Sequence, residues 1–399
     1  MPRFSMRSVL AACLVLGAGA QAVAGGAFTV SQVGPLGNTP YSIIAYDLNG
    51  DHRLDLAVTN YYSGTVSLLY GTGAGTFTGR TDYAVGVNPG GVAAGDFNRD
   101  GRIDVATTDD YGHALSVLYG QAGGGVGARQ DFTADYLCRN VVAADVDGDG
   151  RLDLVVPCTN SSAVSIYYGQ DAPGIPFAPR LNFATAYNPR CVVVADFNRD
   201  GRLDIATTNR GSSGKQQISI LYATSNGDYA PHVDFDSGVG DDVEPWGIVA
   251  GDFNHDGLLD LAVTNRTLNN VAVLFGLQAG GFGNRLLFPT GPSPTGLVAA
   301  DFDGDGWLDL AVTDSGGTTV SLLRGLGDGT FAAHEDYVVG SSPFGLAAGD
   351  FNGDGKMDLA ATYQGGVAIL TNVTPEPASL ALVALGALAA LRRRAQCRK

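Results

Sequence analysis

The feature that most constrains the fold of this 399-residue chain is an acidic motif that recurs seven times. The third copy reads Asp-Val-Asp-Gly-Asp-Gly-Arg-Leu-Asp-Leu. Successive copies are separated by 49, 49, 51, 56, 49 and 49 residues. Seven units of about fifty residues fill the chain and leave no room for a second domain. The copies begin at Asp47, Asp96, Asp145, Asp196, Asp252, Asp301 and Asp350.

Each unit carries four short apolar runs of the kind that forms β-strands. In the second unit, one run precedes the motif at 91–95, another follows it at 105–108, and a third occupies 115–119. A fourth run follows a Gly-rich turn. Short runs rich in Val, Ile, Tyr and Thr predict strands, and no convincing helical period is evident between residues 25 and 374. We therefore predict an all-β, seven-bladed β-propeller with four strands in each blade.

The two ends of the repeat region predict how the ring closes. The seventh unit supplies three strands and stops after the run at 366–370. The missing strand is present near the start of the chain, where 27–33 aligns with the fourth-strand regions that follow Phe77 and Phe331. We predict that this N-terminal strand completes the last blade.

Each motif places oxygen-bearing side chains at its positions 1, 3, 5 and 9, with Gly at position 6 in six of seven copies. Ca²⁺ takes about six to eight oxygen ligands, whereas Mg²⁺ demands a stricter octahedron and more water. Glycine at position 6 permits the left-handed turn that folds a loop over an ion, and position 9 can close the site as a bidentate ligand. We predict up to seven Ca²⁺ sites, the first being weakest because His52 replaces the glycine. The predicted ligands are Asp47, Asn49, Asp51, Asp55, Asp96, Asn98, Asp100, Asp104, Asp145, Asp147, Asp149, Asp153, Asp196, Asn198, Asp200, Asp204, Asp252, Asn254, Asp256, Asp260, Asp301, Asp303, Asp305, Asp309, Asp350, Asn352, Asp354 and Asp358.

The acidic motifs hold 23 of the 40 acidic residues. Between residues 25 and 374 the formal net charge is −22, which seven Ca²⁺ ions would bring to −8. Three or four carboxylates in one loop repel one another, so we expect metal binding to be coupled to folding. Ordinary Asp-Gly hairpin turns explain one such motif but not seven in register. The acidic balance disfavours nucleic acid, which requires clustered Lys and Arg.

The form Gly-Asp-Phe-Asn-x-Asp-Gly-x-x-Asp-Leu, present at 251–261 and 349–359, resembles the FG-GAP or VCBS repeat of the integrin α-chain propeller and of many bacterial surface proteins. The resemblance implies a seven-bladed propeller whose Ca²⁺ loops join the first and second strands of a blade. It does not imply a ligand, because the fold serves adhesion, carbohydrate binding and some lyase chemistry.

The two ends of the chain read as export signals. Residues 1–24 combine a basic start, an apolar stretch and an Ala-Val-Ala cleavage site, as in a secretory signal peptide. A lipoprotein box at 10–13 is an alternative, although few apolar residues precede Cys13. Residues 374–399 contain a Pro-Glu-Pro triplet, an apolar segment and an Arg cluster, an order that resembles the PEP-CTERM sorting signal. In that family an exosortase-type membrane protease is thought to cut near the triplet.

These end segments predict the domain organisation and the location. The propeller is expected to span residues 25–373, and the C-terminal segment is expected to associate transiently with the membrane. The predicted location is outside the cell or at the surface of a Gram-negative-type bacterium.

A ring of side chains is predicted at the axial mouth, opposite the Ca²⁺ loops. A Pro, or Cys138 in the third unit, stands seven residues before each motif, where an innermost strand begins. The residues that follow mix aromatic and Arg side chains, which suit a polar ligand with flat faces, such as a sugar or peptide. The alternative is that they plug the axis. The predicted ligand-binding residues are Tyr41, Arg139, Arg190, Trp246 and Phe344.

Two insertions and three carboxylates extend the same face. The insertions lie at 211–215 and 236–244. A paired-carboxylate site at Asp241, Asp242 and Glu244 is conceivable, although an exposed acidic loop is the simpler explanation. No Ser-His-Asp, zinc or phosphate-loop pattern stands out, so support for catalysis is thin.

We therefore expect a non-enzymatic, calcium-binding surface or matrix propeller that binds carbohydrate or protein in an adhesion or biofilm role. A secreted polysaccharide lyase or hydrolase on the same fold and a purely structural scaffold are the alternatives.

The cysteines suggest one disulfide with two possible pairings. Folding the third hairpin about Asp149 sets residue 138 opposite residue 160, so Cys138 and Cys158 are diagonal neighbours and can be bridged in an exported protein. Cys191, which enters the adjacent blade, is a competing partner.

Overall fold

A computed structural model describes residues 28–172, 174–210, 217–225, 227–238, 243–278 and 280–374. The strands of these residues form seven four-stranded antiparallel sheets, one for each sequence unit. The all-β, seven-bladed propeller is therefore confirmed. The predicted signal peptide, and the sorting segment from residue 375 onward, lie outside the described residues. Among the described residues, no helix has the length and hydropathy needed to cross a membrane.

The four strands of each blade are called inner, second, third and outer, in order from the axis. The inner strands are Pro40–Tyr46, Pro89–Gly95, Val142–Ala144, Pro189–Ala195, Pro245–Gly251, Pro294–Ala300 and Leu346–Gly349. The second strands are Asp55–Asn60, Asp104–Asp109, Asp153–Cys158, Asp204–Asn209, Asp260–Asn265, Asp309–Asp314 and Asp358–Tyr363. The third strands are Thr65–Gly71, Ala114–Gly120, Ala163–Tyr167, Ile218–Leu221, Asn270–Gly276, Thr319–Leu323 and Gly366–Asn372. The outer strands are Phe77–Ala84, Val126–Thr133, Leu181–Ala184, Val233–Phe235, Phe282–Pro289, Glu335–Val338 and Phe28–Val33.

Short additions to this pattern occur in two blades. The third blade adds a hairpin of Gly169–Ala172 with Ile175–Phe177 and a 3₁₀ turn at Thr159–Ser161. The fourth blade adds a hairpin of Ala223–Ser225 with Asp228–Tyr229.

The antiparallel order gives the ring two distinct faces. The acidic loops join inner to second strands and share one face with the turns from third to outer strands. This is called the loop face. The turns from second to third strands, and the connections to the next blade, form the opposite mouth face. The loops therefore lie where the resemblance implied, between the first and second strands of a blade.

The N-terminal strand closes the last blade, as predicted. It pairs antiparallel with the third strand of the seventh blade, from Phe28 opposite Asn372 to Val33 opposite Val367. Phe28 also packs edge-on against Phe302 of the sixth blade, with ring centroids 6.0 Å apart. Phe77 makes the same kind of contact with a phenylalanine of the preceding blade, so the alignment of these two regions is confirmed.

Apolar packing between neighbouring blades holds the ring together. Among the described residues, seven clusters of buried side chains each combine residues of two adjacent blades, including the pair formed by the first and seventh. Position 2 of every acidic motif contributes one buried side chain to these clusters. Those side chains are Leu48, Phe97, Val146, Phe197, Phe253, Phe302 and Phe351.

A threonine near the end of the second strand adds a polar link between blades. The Thr59 hydroxyl accepts a hydrogen bond from the Ser42 N–H at 3.0 Å and donates one to the Gly90 carbonyl of the next blade at 2.8 Å. The third blade has Pro157 at this position, and Thr159 makes the link to the following blade instead. Other donors to the next inner strand are Thr208, Thr264, Thr313 and Thr362.

The disulfide forms in this same third blade, between Cys138 and Cys158. The two residues lie directly opposite one another, so the predicted diagonal relation is wrong. The reason is a one-residue bulge: Val142 pairs with Val155, so four steps along the inner strand match three along the second. Cys191 is a free, partly buried thiol.

Removal of residues 27–35 is expected to lower the melting temperature of the whole propeller. The change deletes six strand pairings and the Phe28 contact across the blade interface, and Phe28→Ala alone is expected to cost about 3 kcal/mol or more. Thermal melts followed by circular dichroism measure the effect, with a chain that begins at residue 27 as the control. Equal melting temperatures would show that the strand does not close the ring.

Two buried carboxylates, Asp109 and Asp314, stand at a strand position where three other blades have asparagine. Asp109 ends the second strand of the second blade, at the position that Asn60, Asn209 and Asn265 occupy elsewhere. It is buried, and its Oδ1 has no hydrogen-bond partner among the described residues. Burial raises the pKa of Asp109 to about 7 from an ordinary value of 3.8.

Asp109→Asn is expected to stabilise the protein above neutral pH. A carboxyl with a raised pKa binds its proton more tightly in the folded state, so the folded state loses stability as the pH rises from about 4 through 7. We expect the free energy of unfolding to increase by about 1–3 kcal/mol near pH 8, and by less near pH 5. Asp131→Asn is the matched control, because Arg129 lowers the pKa of that carboxyl and the change should destabilise at pH 8. An equal gain at both pH values would contradict the assignment.

Candidate functional site

The seven acidic loops share one conformation, built from hydrogen bonds within each loop. In the third loop, Asp145 Oδ1 accepts from the Asp149 N–H at 3.0 Å, and its Oδ2 accepts from the Gly150 N–H at 2.9 Å. Asp149 Oδ1 accepts from the Arg151 N–H at 2.9 Å. These contacts draw the side chains of positions 1, 3 and 5 towards a common centre.

Left-handed backbone conformations occur at two positions of each loop. Gly150, at position 6, has a φ of 87°, which confirms the role predicted for glycine there. Position 4 is also left-handed, although sequence reasoning did not single it out, and non-glycine residues such as Arg99 and His255 adopt it. His52 holds position 6 of the first loop at a φ of 65°. A side chain at such an angle is unfavourable, so the first loop stays the predicted weakest.

The aspartate at position 9 has a structural role that the sequence did not reveal. Asp55 is fully buried, and its Oδ2 accepts from the Leu48 N–H at 3.0 Å. Its Oδ1 accepts from the Gly71 N–H, at the end of the third strand, at 2.8 Å. The same pair of bonds recurs in all seven blades. Each oxygen keeps a lone pair, so metal ligation by position 9 is compatible with this role.

Electrostatics within the loops suit a hard cation. Burial raises the pKa of each position-9 carboxyl, to about 6 for Asp55 and about 8 for Asp309. Burial and the neighbouring Asp305 likewise raise the pKa of Asp303 to about 6. Two loops bring three carboxylates within 4.8 Å of one another, through Asp145, Asp147 and Asp149 and through Asp301, Asp303 and Asp309. An oxygen-only set of crowded acids fits Ca²⁺, and these two loops fit it best.

Each loop is also covered by the next blade. The Gly329 N–H, in a third-to-outer turn, donates to the Phe253 carbonyl of the preceding loop at 3.1 Å. Gly329 has a φ of 81°, and a Cβ there would come within 2.4 Å of the Phe275 ring. Glycine is therefore required at this turn, and the conformation of a loop is coupled to the neighbouring blade.

The five residues predicted at the axial mouth come from five blades and meet in one cluster. The Tyr41 and Phe344 rings stack with centroids 4.1 Å apart, and Trp246 meets Phe344 edge-on at 5.3 Å. The Arg190 guanidinium lies 4.3 Å from the centre of the Trp246 ring, and that of Arg139 lies 6.0 Å away. An axial cavity of about 470 Å³, lined mainly by inner-strand residues, adjoins the cluster.

Most of this mouth cluster is buried and internally paired. Trp246 is 8% exposed and Arg190 is 5% exposed. Arg139 Nε lies 3.1 Å from Asp110 Oδ1, and Arg190 Nη2 lies 3.5 Å from Glu244 Oε1. The cluster has the packing that a plug of the axis requires, so ligand binding by these five residues stays a prediction.

Exposed tyrosines around the cluster were missed by sequence reasoning. Tyr62 and Tyr187 are 68% and 55% exposed, and Tyr111 is also exposed. All three lie in connections on the mouth face. Tyr62 and Tyr111 could have been identified as departures from the repeat, since only the first two units carry tyrosine in the turn between second and third strands.

The predicted insertions fall partly outside the described residues. Residues 211–216 and 239–242 are not described, so the candidate pair Asp241 and Asp242 cannot be placed. Glu244 is described, and it contacts Arg190 and Arg210.

Two Ser, His and Asp groupings occur in the blades, but they belong to the repeat. Ser321 Oγ donates to Asp336 Oδ1 at 2.9 Å, and His334 Nδ1 lies 2.7 Å from the same oxygen. Ser321 is fully buried. In the first blade Arg80 takes the place of the histidine beside the equivalent Asp82, which also accepts a hydrogen bond from Ser67 of the third strand. The arrangement is therefore a structural contact between the outer and third strands.

Solved structures of several kinds have a similar fold. BBS1N, solved in complex with ARL6DN, is 13% identical with a TM-score of 0.61 over 88% of this chain and 98% of the other. A streptogramin B lyase is 12% identical with a TM-score of 0.59, covering 86% and 98%. A lectin of Agrocybe aegerita that recognises non-reducing terminal N-acetylglucosamine is 18% identical with a TM-score of 0.54, covering 82% and 86%. These low identities show the fold alone, and no curated protein sequence matches the chain.

Two family models match the sequence directly. The FG-GAP-like repeat matches residues 47–107, 96–156, 252–312 and 301–361, which together cover more than half of the chain. The PEP-CTERM protein-sorting motif matches residues 373–395. This motif implies processing by exosortase-type machinery, membrane association and export to the cell surface in bacteria. The chain therefore belongs to the FG-GAP-like repeat family of β-propellers and carries a PEP-CTERM sorting signal.

Proposed function

We propose that this protein is a calcium-binding surface or matrix propeller without enzymatic activity, which binds a carbohydrate or protein ligand through its mouth face. The observation that carries the proposal is the contrast between the two faces. The loop face repeats the same acidic motif seven times, whereas the mouth face gathers aromatic and Arg side chains that do not repeat. We infer an adhesion or biofilm role at the surface of a Gram-negative-type bacterium, which the sorting signal supports.

The position of the chain ends favours an outward mouth face. Phe28 and Asn372 are paired at the loop face, where the Asn372 N–H donates to Asp358 Oδ1 at 2.7 Å. The Pro-Glu-Pro triplet of the sorting signal follows directly after Thr374, whose carbonyl accepts from Lys356 Nζ at 2.6 Å. A membrane-associated C-terminal segment therefore draws the loop face towards the membrane and leaves the opposite face accessible.

Calcium is supported by the chemistry of the loops. The described donors are all oxygens, the position-9 carboxyls are buried without a neighbouring cation, and crowding is greatest in the third and sixth loops. Bound calcium would neutralise these carboxylates and hold each loop in place between its own blade and the next.

The exposed tyrosines support a ligand at the mouth face. Tyr62, Tyr111 and Tyr187 present flat apolar faces and a polar hydroxyl to solvent, a combination enriched at recognition surfaces. A lectin shares the fold, as does a lyase, so the fold itself decides neither binding nor catalysis. The enzymatic alternative is a polysaccharide lyase or hydrolase.

Chelation of calcium is expected to lower the melting temperature, because the loop carboxylates then repel one another. Added Ca²⁺ should restore it more effectively than Mg²⁺. Asp301→Asn, in a crowded loop, should remove one Ca²⁺ in isothermal titration and reduce the calcium-dependent rise in melting temperature. Asp47→Asn, the matched change in the first loop, should have a smaller effect. A melting temperature that does not respond to chelator would refute the calcium assignment.

Binding to a glycan and protein array with Ca²⁺ present is expected to depend on the mouth face. Trp246→Ala and Arg190→Ala should abolish binding. Both residues are buried, however, and truncation of a core aromatic costs about 3–5 kcal/mol, so these two changes are also expected to lower stability. Tyr62→Ala separates binding from stability, because this exposed change should weaken binding about tenfold at an unchanged melting temperature. Leu326→Ala, an exposed change on the loop face, is the control.

Two outcomes would count against this function. New reducing or unsaturated ends in acidic polysaccharides would favour the enzymatic alternative. No binding on the array, together with no cleavage of the polysaccharides, would favour a structural scaffold.

A further inference from the structure

Guanidinium groups converge on one tryptophan in a strongly acidic protein. Arg190, Arg266 and Arg139 place their guanidinium carbons 4.3, 5.5 and 6.0 Å from the centre of the Trp246 ring. Residues 25–374 contain only 17 basic residues against 39 acidic ones. This concentration of positive charge on the mouth face is therefore not a consequence of overall composition.

Among the described residues, the carboxylates near these arginines are fewer than the guanidinium groups. Glu244 is shared, since its Oε1 lies 3.5 Å from Arg190 Nη2 and 3.0 Å from Arg210 Nε. Asp110 pairs with Arg139. No carboxylate among the described residues lies within ion-pair distance of Arg266. Four guanidinium groups thus face two described carboxylates.

The environment of the Arg190 guanidinium is electrostatically unfavourable. Its Nη1 is buried and has no hydrogen-bond acceptor among the described residues. Burial lowers the pKa of Arg190 to about 10; Glu244 opposes this shift, and repulsion from Arg139 and Arg210 adds to it. A buried donor without an acceptor is uncommon in folded proteins, and an anion placed at the mouth would relieve the repulsion.

An exposed pair of side chains lies at the edge of this cluster. The Arg210 side chain is 54% exposed, and its backbone N–H donates to the Asn188 carbonyl at 3.1 Å. The adjacent Tyr187 is 55% exposed. The exposed part of the Arg210 guanidinium, which shares Glu244 with Arg190, and the neighbouring phenol match the two parts of an acidic sugar. The sugar ring stacks on the phenol while its carboxylate bonds to the guanidinium.

We propose that the mouth face binds a uronic-acid polysaccharide, with Tyr187 stacking on a sugar ring and Arg210 and Arg266 binding its carboxylate. This inference rests on the proposed function and names its ligand class. Arg190 and Trp246 form the buried support, which holds positive charge beneath the site. An acidic peptide would also satisfy the arginines; a uronate is favoured because one sugar unit offers both a ring face to Tyr187 and a carboxylate to Arg210.

The test is isothermal titration of the mature, Ca²⁺-loaded protein with tetragalacturonate, at a buffered free Ca²⁺ concentration because the oligosaccharide itself binds calcium. Arg210→Gln and Tyr187→Ala change exposed side chains and should each weaken binding about tenfold. Arg129→Gln, on an outer strand, removes the same charge away from the mouth and should leave affinity unchanged. The neutral methyl ester should bind about tenfold more weakly than the acid, and added salt should weaken binding of the acid.

Each other outcome overturns the inference in a recognisable way. Equal affinity for the acid and its methyl ester would identify a neutral sugar site and leave the proposed function intact. Binding of poly-glutamate that depends on Arg210, without binding of tetragalacturonate, would identify an acidic peptide. Uronate affinity unchanged by Arg210→Gln would place the site elsewhere. Absence of both uronate binding and any array ligand would remove the proposed function as well.

Discussion

The buried aspartate at position 9 of each motif is the interaction on which the rest of the structure depends. Its two oxygens accept one N–H from the start of the acidic loop and one from the end of the third strand, as at Asp55. A single side chain therefore fixes the loop, begins the second strand and anchors the third. Because an ionised carboxylate in an apolar site is costly without compensation, the calcium ions that we propose would couple to the folding of each blade through this residue.

Closure of the ring is the second constraint, and it explains where the units depart from one another. Threonine hydroxyls join adjacent inner strands in several blades, as Thr59 does with Gly90. The third blade has Pro157 in place of that threonine, and its inner strand is the shortest, at three residues. This is the blade in which the Cys138–Cys158 disulfide ties the inner strand to the second. The covalent link thus occurs in the blade whose polar link to the next blade comes from Thr159, outside the usual strand position.

The architecture was predictable from sequence because it is periodic. Seven copies of one motif specify the number of blades. The extra strand after residue 27 can then only complete the seventh blade, which lacks an outer strand. The register of Cys138 was not predictable, because a bulge depends on backbone geometry that a repeat does not encode. The hydrogen bonds from Asp55 to backbone N–H groups could not be predicted from the sequence, because metal ligation also calls for an aspartate at this position. Tyr62 and Tyr187 lie in connections, which carry no strand periodicity and are judged only by their exposure in the fold.

The two faces of the propeller are therefore under different physical demands. On the loop face, every blade must satisfy the same carboxylates and accept the turn of its neighbour, so variation there disturbs two blades at once. On the mouth face, the repeated hydrogen bonds join backbone groups, as from the Asp110 N–H to the Asn88 carbonyl and from the Arg210 N–H to the Asn188 carbonyl. The side chains of these connections can therefore differ between blades at little cost to stability. Trp246, the arginines around it and the exposed tyrosines all lie on the mouth face. Because identical repeats cannot by themselves create an asymmetric site, the ligand binding that we propose depends on these non-repeating residues.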